Sequence, residues 1–430
     1  MPVLLRTPKT VLLLSLLMAA SLWLYVQRVL IPYQIADAAA HGQPRGILSD
    51  LYPRWVGTRE LLLHHRDPYS PEVTREIQSG YYGRVLDPNR PGDPRDQQRF
   101  AYPVYVAFLL APIIGLPFSA VHAAFGWFLA ILTATTVWLW LRVLRWNVSA
   151  TTAAALVLLT LGSFPAVQGI KLQQLSLMVS GMIAGCAALL VTGHLLLAGV
   201  LLALATIKPQ LALPLCAWLL LWALSDWRRR KSLVLSFAAT LAVLFAAAQY
   251  VLPGWFSEFR GAVSAYRQYT GGAGSLLDVL VTPVVGAILA VAILLAVGGV
   301  CWRLRQVELN DEAFGLVLAL VLGVTVVVVP MVAPYNQVLL LPALFLIARD
   351  WTALWGRSLL TRTLFLLTAT LVCWPWLAAG LLALASFGPG KNLALHAWAL
   401  PLYTSLGIPL AVVGLLWTQV SAALRARFTA

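Results

Sequence analysis

The residues best equipped for chemistry are few and stand between long apolar runs. The densest group is Ser49-Asp50-Leu51-Tyr52-Pro53-Arg54-Trp55, continuing through Gly57, Arg59-Glu60 and Arg66-Asp67-Pro68-Tyr69. Further along come Phe100-Ala101-Tyr102-Pro103, Gln173-Gln174, Lys208-Pro209, Arg260, Arg267 and Pro334-Tyr335-Asn336-Gln337. A carboxylate such as Asp50 can take a proton. Arginines and a lysine can hold an anion by charge-assisted hydrogen bonds, Arg bidentately. Plainer readings stand beside these. Asp50 follows Ser49 at a helix start and is placed to cap it. Asp50 and Arg54 are spaced i, i+4, as an ordinary ion pair would be. Asp67-Pro68-Tyr69 reads as a turn, Tyr102-Pro103 orients the chain, Gln174 satisfies loop backbone and Lys208 snorkels.

Other chemistries find little support. Cys186, Cys216, Cys301 and Cys373 all sit in apolar runs and form no C-x-x-C pair. His64 and His65 are adjacent, unlike a helical metal pair at i, i+4. No Asp-x-Asp metal motif occurs.

The elements that must position these residues are membrane spans. Of the 430 residues, 60% are hydrophobic and 11% charged, and mean hydropathy is +0.82. Soluble domains carry about 25% charged residues. Disorder, a disulfide scaffold and an ordinary soluble enzyme are thereby excluded. The net charge of +14 would suggest nucleic acid in a soluble chain, but here the basic residues punctuate apolar runs, the positive-inside pattern. The expectation is an all-α polytopic bundle in one domain spanning 1–430, with no nucleic-acid partner. A first run from Val11 to Ile31 is expected to remain as an uncleaved span.

Thirteen apolar segments can be read: 10–31, 102–119, 122–142, 150–168, 174–192, 194–207, 209–225, 232–252, 277–301, 313–332, 336–348, 363–386 and 397–419. Arg425 and Arg427 place the C-terminus inside, as do the loops with Arg349, Arg357 and Arg362, with Arg303 and Arg305, and with Arg228 to Lys231. Arg6 and Lys9 place the N-terminus inside too. Thirteen crossings break that parity. The segment 102–119, interrupted by Pro103, Pro112 and Pro117, is therefore expected not to cross. Twelve spans are predicted, with both termini cytoplasmic in an inner membrane.

The stretch 32–100 becomes an outside loop. It holds 9 of the 16 acidic residues and 9 Arg, so its charge balances. Helices are expected over Leu51–His65, lying on the membrane surface, and over Pro71–Tyr82. A second outside loop, 253–276, carries Arg260, Tyr266, Arg267 and Tyr269. Its Gly271-Gly272-Ala273-Gly274 gives it freedom to close over a site. Mid-membrane ionisable residues, which transporters need, are nearly absent. Polar chemistry gathers at the outer face, which favours an interfacial enzyme over an ion-coupled carrier.

One span, an outside loop opening with Asp and carrying D-P-Y, then F-x-Y-P at Phe100–Pro103, Gln174 and Lys208-Pro209 together resemble glycosyltransferase family 87, of the GT-C superfamily. The resemblance covers roughly residues 10–350. The chain departs where the family often has Y-P-P (here Val104), Gly before the Gln (here Gln173) and Tyr four after the Asp (here Arg54).

The resemblance implies a GT-C-type bundle that transfers a hexose, mannose in the best-known members, from a polyprenyl-phosphate carrier. The acceptor would be a lipid or glycan of the cell envelope, met at the outer face of the cytoplasmic membrane. Asp50 would be the general base, and direct displacement would invert the anomeric centre. Arg54, Arg59 and Lys208, with Arg260 and Arg267 behind them, would neutralise the leaving phosphate. Tyr102, Gln174, Tyr335, Asn336 and Trp55 would contact substrate. No cofactor and no metal are expected. A lipid-linked-sugar flippase, and a non-catalytic subunit docking a partner through loop 32–100, are the alternatives.

Overall fold

The computed structural model describes residues 8–44, 46–87, 89–90, 92–269, 274–330 and 332–428, which hold helices and no strand. In chain order the principal helices begin with α1 (Pro8–Ala40), α2 (Leu51–His64), α3 (Pro71–Tyr82), α4 (Phe118–Val143), α5 (Ala150–Leu161) and α6 (Phe164–Lys171). There follow α7 (Leu175–Val191), α8 (Leu195–Leu204), α9 (Pro209–Leu224), α10 (Trp227–Val251) and α11 (Trp255–Tyr269). The chain closes with α12 (Pro283–Arg303), α13 (Glu312–Val328), a 3₁₀ turn Pro334–Leu340, α14 (Leu341–Arg349), α15 (Leu359–Ala385) and α16 (Gly407–Phe428).

Six segments are long and apolar enough to cross a membrane: α1, α4, α10, α12, α15 and Lys391–Arg427, which contains most of α16. The pair α5 and α6, bent by 59°, makes a seventh if counted as one. Helices α7, α9 and α13 and the segment Leu195–Ile207 are apolar but shorter. At 1.5 Å per residue they reach about 20–26 Å, against a hydrocarbon core of about 30 Å. Length and composition therefore support a multi-pass membrane protein with six or seven clear spans. Before α4 begins at Phe118, the segment 102–119 forms only a five-residue helix, Val106–Leu110, and the 3₁₀ turn Ala111–Ile113. That is about 14 Å of helix, too little to cross.

Two sequence expectations change. The first span is expected to end at residue 31, yet α1 continues to Ala40 through a π-helical turn at Val26–Leu30. Pro32 has no N–H to give the preceding turn, and the widened π turn accommodates this break. The apolar face of α2 does not lie on the bilayer. Leu51, Trp55, Val56 and Leu61 are buried in the same core as Phe100, Val106 and Leu110.

Helix starts follow the sequence closely. Ser70, Ser149, Ser163, Asp226, Thr282, Asp311 and Ser358 each accept a backbone N–H at the start of a helix. Helix α13, apolar all round, is buried at nearly every position from Ala313 to Val327, as such a helix must be. It packs against α9, α12 and α16 and leads into the turn Pro334–Leu340.

Candidate active site

Asp50 sits immediately before α2, but its side chain makes no capping hydrogen bond. Its backbone N–H donates to the Leu172 carbonyl (2.8 Å) at the end of α6. Arg54 Nη1 donates to the Asp50 backbone carbonyl (2.7 Å), not to its carboxylate. No Asp50–Arg54 salt bridge occurs among the described residues. The plainer roles of this carboxylate, cap and ion-pair partner, are therefore not the ones it performs.

Its partner comes from 124 positions away. Gln174 Nε2 donates to Asp50 Oδ2. Gln174 Oε1 accepts from Lys208 Nζ (3.2 Å). Lys208 Nζ also donates to Ser176 Oγ (2.5 Å), which donates to Asn336 Oδ1 (2.8 Å). The ammonium lies 5.1 Å from the Tyr335 ring centroid. A continuous polar chain thus joins the Asp50 loop, the starts of α7 and α9, and the 3₁₀ turn after α13. Gln174, Ser176, Lys208 and Asn336 are buried in it.

The chain's own geometry holds this loop in place. Ser49 Oγ donates to Gln173 Oε1, and Gln173 Nε2 donates to the His122 carbonyl. Gln173 has φ +53°, a left-handed conformation costing a side-chain-bearing residue about 1–2 kcal/mol. Its two hydrogen bonds offset that cost and peg Ser49, hence Asp50, to the turn between α6 and α7. Leu48 (φ +56°) and Gln98 (φ +50°) are also left-handed and flank the same cluster. Strain of this sort collects where surrounding structure over-determines a functional geometry.

Asp50 is half-buried. Oδ2 is engaged by Gln174, and Oδ1 receives no hydrogen bond among the described residues. Burial pushes the carboxyl above the usual carboxylate range; Arg54 opposes this, Asp96 reinforces it and Lys208 opposes it. A carboxylate so placed is a better base than one in water. Asp96 is also pushed up by burial, against the pull of the Gln98 N–H and of Arg54. Both Asp96 oxygens are held by Gln98, at 3.0 Å each.

Arg54 stacks over Tyr102, 4.6 Å from the ring centroid, and its buried Nε has no hydrogen-bond partner among the described residues. Tyr102 is fixed from below by Tyr69, whose hydroxyl donates to the Tyr102 carbonyl (2.6 Å). Asp67-Pro68-Tyr69 is a turn, Tyr69 N–H donating to Asp67 Oδ1 (2.9 Å). Arg66 ties α2 to α3 through Glu60 (2.6 Å) and Glu76 (2.8 Å). A Cβ at Gly80 would strike the Tyr52 hydroxyl, so a larger residue there must displace the Tyr52 ring from between α2 and α3.

The remaining sequence candidates are outside the polar chain described above. Arg59 is exposed and stacks over Trp55 at 5.4 Å. Trp55 is buried and spends its indole N–H on the Ile113 carbonyl (3.2 Å). Arg260 and Arg267 are exposed on α11, whose Tyr266 senses the charges of Asp96, Arg54 and Asp50. Gly271, Gly272 and Ala273, which the sequence reading expects to let loop 253–276 close over a site, lie outside the described residues.

Sequence reasoning does not single out Asp96 or Ser176 as members of this cluster. Asp96 stood among nine balanced acidic residues with nothing to single it out. Ser176, two positions after Gln174, looked like an ordinary small helical residue. Among the described residues no group of three or more His, Cys, Asp or Glu could hold a metal ion.

The sequence model of glycosyltransferase family 87 matches residues 100–334, more than half of the chain. That range takes in Tyr102, Gln174, Lys208, Arg260 and Arg267. The Asp50 loop precedes it, and Tyr335 and Asn336 follow directly after. No curated protein and no solved structure matches the chain.

Proposed function

Since this chain belongs to glycosyltransferase family 87 and is a membrane glycosyltransferase, we propose that it transfers a hexose, such as mannose, from a polyprenyl-phosphate carrier to a lipid or glycan hydroxyl. The reaction runs at the outer face of the cytoplasmic membrane, on the side of loop 32–100. The observation that carries the reading is the Asp50 carboxylate. It is desolvated, gripped on Oδ2 by Gln174, and open on Oδ1.

The acceptor hydroxyl gives its proton to Asp50 Oδ1 as its oxygen bonds to the anomeric carbon. The bond from that carbon to the phosphate oxygen breaks on the opposite side, so configuration inverts. The polyprenyl phosphate leaves as an anion and needs neutralising charge, not a proton. Lys208 is held at the other end of Gln174 for this role, and Arg54, stacked on Tyr102, is the second cation. The same Gln174 amide sets the spacing of base and cation. The two cations supply the positive charge that the leaving group requires, without a metal.

The carrier's tail has a place. An apolar cavity of about 690 Å³ lies between α1, α5, α14 and α15 and is lined by Phe164, Leu341, Trp376 and Ile408. Gln337 lines it too, while its neighbour Asn336 belongs to the polar chain. The turn Pro334–Leu340 thus faces the head-group site on one side and the cavity on the other.

The test is incubation of the purified protein with radiolabelled polyprenyl-phosphate hexoses, nucleotide hexoses and membrane-lipid acceptors. Transfer from the lipid-linked donors alone, with inverted anomeric configuration in the product, is expected. Turnover of nucleotide sugars, or a retained configuration, would overturn it. Movement of the donor across vesicles without cleavage would favour a flippase.

A further inference from the structure

We propose that Asp96 and Tyr269 form the acceptor subsite of this transferase, and that it takes a polyhydroxyl ring such as a sugar unit rather than a lone lipid alcohol. The proposal rests on the reading above, in which Asp50 Oδ1 receives the acceptor's proton and Lys208 meets the leaving phosphate.

Two flanks of Asp50 differ in charge. Gln174, with Lys208 behind it, reaches the carboxylate from the starts of α7 and α9. Asp96 comes from the stretch 92–99, which is pinned to α3. There the Tyr82 hydroxyl donates to the Asp96 carbonyl (2.8 Å) and Gln78 Nε2 to the Gln97 carbonyl (3.1 Å). Tyr81 of α3 and Tyr266 of α11 each sense both carboxylates, so Asp50 and Asp96 border one space. Arg54 acts on both carboxylates, so Lys208 decides which flank the phosphate takes. In an inverting displacement the nucleophile enters on the face of the sugar opposite the leaving group. With the phosphate drawn to Lys208, the acceptor is left the Asp96 flank.

The groups on that flank suit neutral hydroxyls. The Asp96 oxygens accept from the Gln98 N–H and Nε2 (3.0 Å each), and each keeps a lone pair for a further donor. The Tyr269 hydroxyl is buried with no hydrogen-bond partner among the described residues. A buried hydroxyl left unpaired is unfavourable, so this one marks a place for a ligand oxygen. Burial, and then the Asp96 charge, hold it protonated and therefore a donor. Tyr266, one turn earlier on α11, sets its ring edge-on to Tyr269, with centroids 5.2 Å apart at 77°. The pair gives the subsite an aromatic wall for the apolar face of a sugar ring. Neighbouring ring hydroxyls satisfy both groups: one donates to Asp96 and the next accepts from Tyr269. A lone alcohol has only the hydroxyl that Asp50 needs and leaves Tyr269 unpaired. A phosphate in this place would face the Asp96 charge.

The test uses the full-length protein in lipid nanodiscs with a radiolabelled polyprenyl-phosphate hexose. The acceptors are the hexyl glycosides of mannose, glucose and galactose, against hexanol. Saturation-transfer NMR of the three methyl glycosides, without donor, reads the subsite by itself. The best glycoside is expected to exceed hexanol at least about tenfold in kcat/KM, because a site built to bond hydroxyls rejects an analogue lacking them. Tyr269→Phe is expected to raise the KM for that glycoside about tenfold and Asp96→Asn about thirtyfold, as for a neutral and a charged hydrogen bond, with the donor KM within about twofold. Both variants are expected to weaken the NMR signal. Equal use of hexanol, a rise confined to the donor KM, or an unchanged glycoside KM in Tyr269→Phe would overturn the proposal and leave the donor reading intact. No transfer to any acceptor, with an NMR signal that both variants weaken, would sink the donor reading and support the sugar subsite. No signal from any methyl glycoside in the wild type would overturn the subsite whatever the donor.

Discussion

The two ends of α13 use positive charge in opposite ways. At the Val328 end, Lys208 spends its hydrogen bonds on side chains, Gln174 and Ser176. At the Glu312 end, arginines reach backbone carbonyls as well as carboxylates such as Asp350 and Asp311. Arg230 donates to the carbonyls of Trp222 (3.0 Å) and Val307 (3.4 Å) and stacks 3.9 Å over the Trp222 ring. Arg349 donates to the Leu144 carbonyl (2.8 Å). A cation facing carbonyls adds a donor at helix ends and turns, beside those that Ser225 and the Trp222 indole already give. A cation facing a glutamine that also holds a carboxylate sets up chemistry. The first kind serves stability and the second turnover.

Substitution at one position in each region tests that division. Lys208→Met is expected to lower kcat/KM by about 10²–10³-fold, the usual loss when a donor to a developing anion is removed. Initial rates at varied donor concentration measure it. Arg230→Met is expected to leave the rate per folded molecule unchanged and to cost about 2 kcal/mol of stability, because two carbonyls each lose a charged donor and the Trp222 ring loses its stacked cation. Thermal unfolding in detergent reads that loss. If Lys208→Met lowers stability but not rate, the two regions do not differ as argued.

The pH profile sharpens the contrast. The ionised form of Asp50 is the active base, so turnover rises as pH climbs through its raised pKa. That limb lies above the ordinary value of about 3.9. Asp96 pushes this carboxyl up and Lys208 pulls it down. Asp96→Asn is therefore expected to move the acidic limb of kcat to lower pH. The stability linkage has the same origin. The folded state holds the Asp50 proton more tightly than the unfolded chain, so this group's contribution is greatest at low pH. It is lost as pH rises from the ordinary value through the raised one. A limb that stays in place in Asp96→Asn would detach Asp96 from the site.

Smaller effects concern the anchor. Gln173→Ala and Gln173→Gly both lose the hydrogen bonds to Ser49 and His122. Only the glycine relieves the left-handed backbone, so its stability is expected to exceed that of the alanine variant by about 1 kcal/mol. Equal unfolding temperatures would argue against strain at this turn. Least of all, Arg59→Ala is expected to change turnover less than about twofold, as for an exposed side chain away from any built site.

The membership of the site is largely legible in the amino-acid sequence. Asp50, Gln174, Lys208, Tyr335 and Asn336 can be gathered from it because each stands out as a polar residue at the edge of an apolar run. The contacts between them cannot. They join positions 124, 34 and 160 apart, and no local pattern encodes such distances. The number of spans is legible only in part. An apolar run of 16 residues such as α9 has the same composition as a membrane crossing, whether it spans or fills a core. The direction of the α2 apolar face escapes a sequence reading because α2 covers itself with the segment 100–118, whose three prolines give no sign of where it folds back.

The account turns on Asp50 Oδ1 as the proton acceptor. The direct measurement is the single-turnover rate of Asp50→Asn with saturating lipid-linked donor, alongside the donor dissociation constant of the same variant. The asparagine keeps the shape and can still accept from Gln174, so donor binding is expected to stay within a few-fold. The rate is expected to fall about 10²–10⁴-fold. A variant that turns over at the wild-type rate, or one whose loss lies wholly in donor binding, would contradict the assignment.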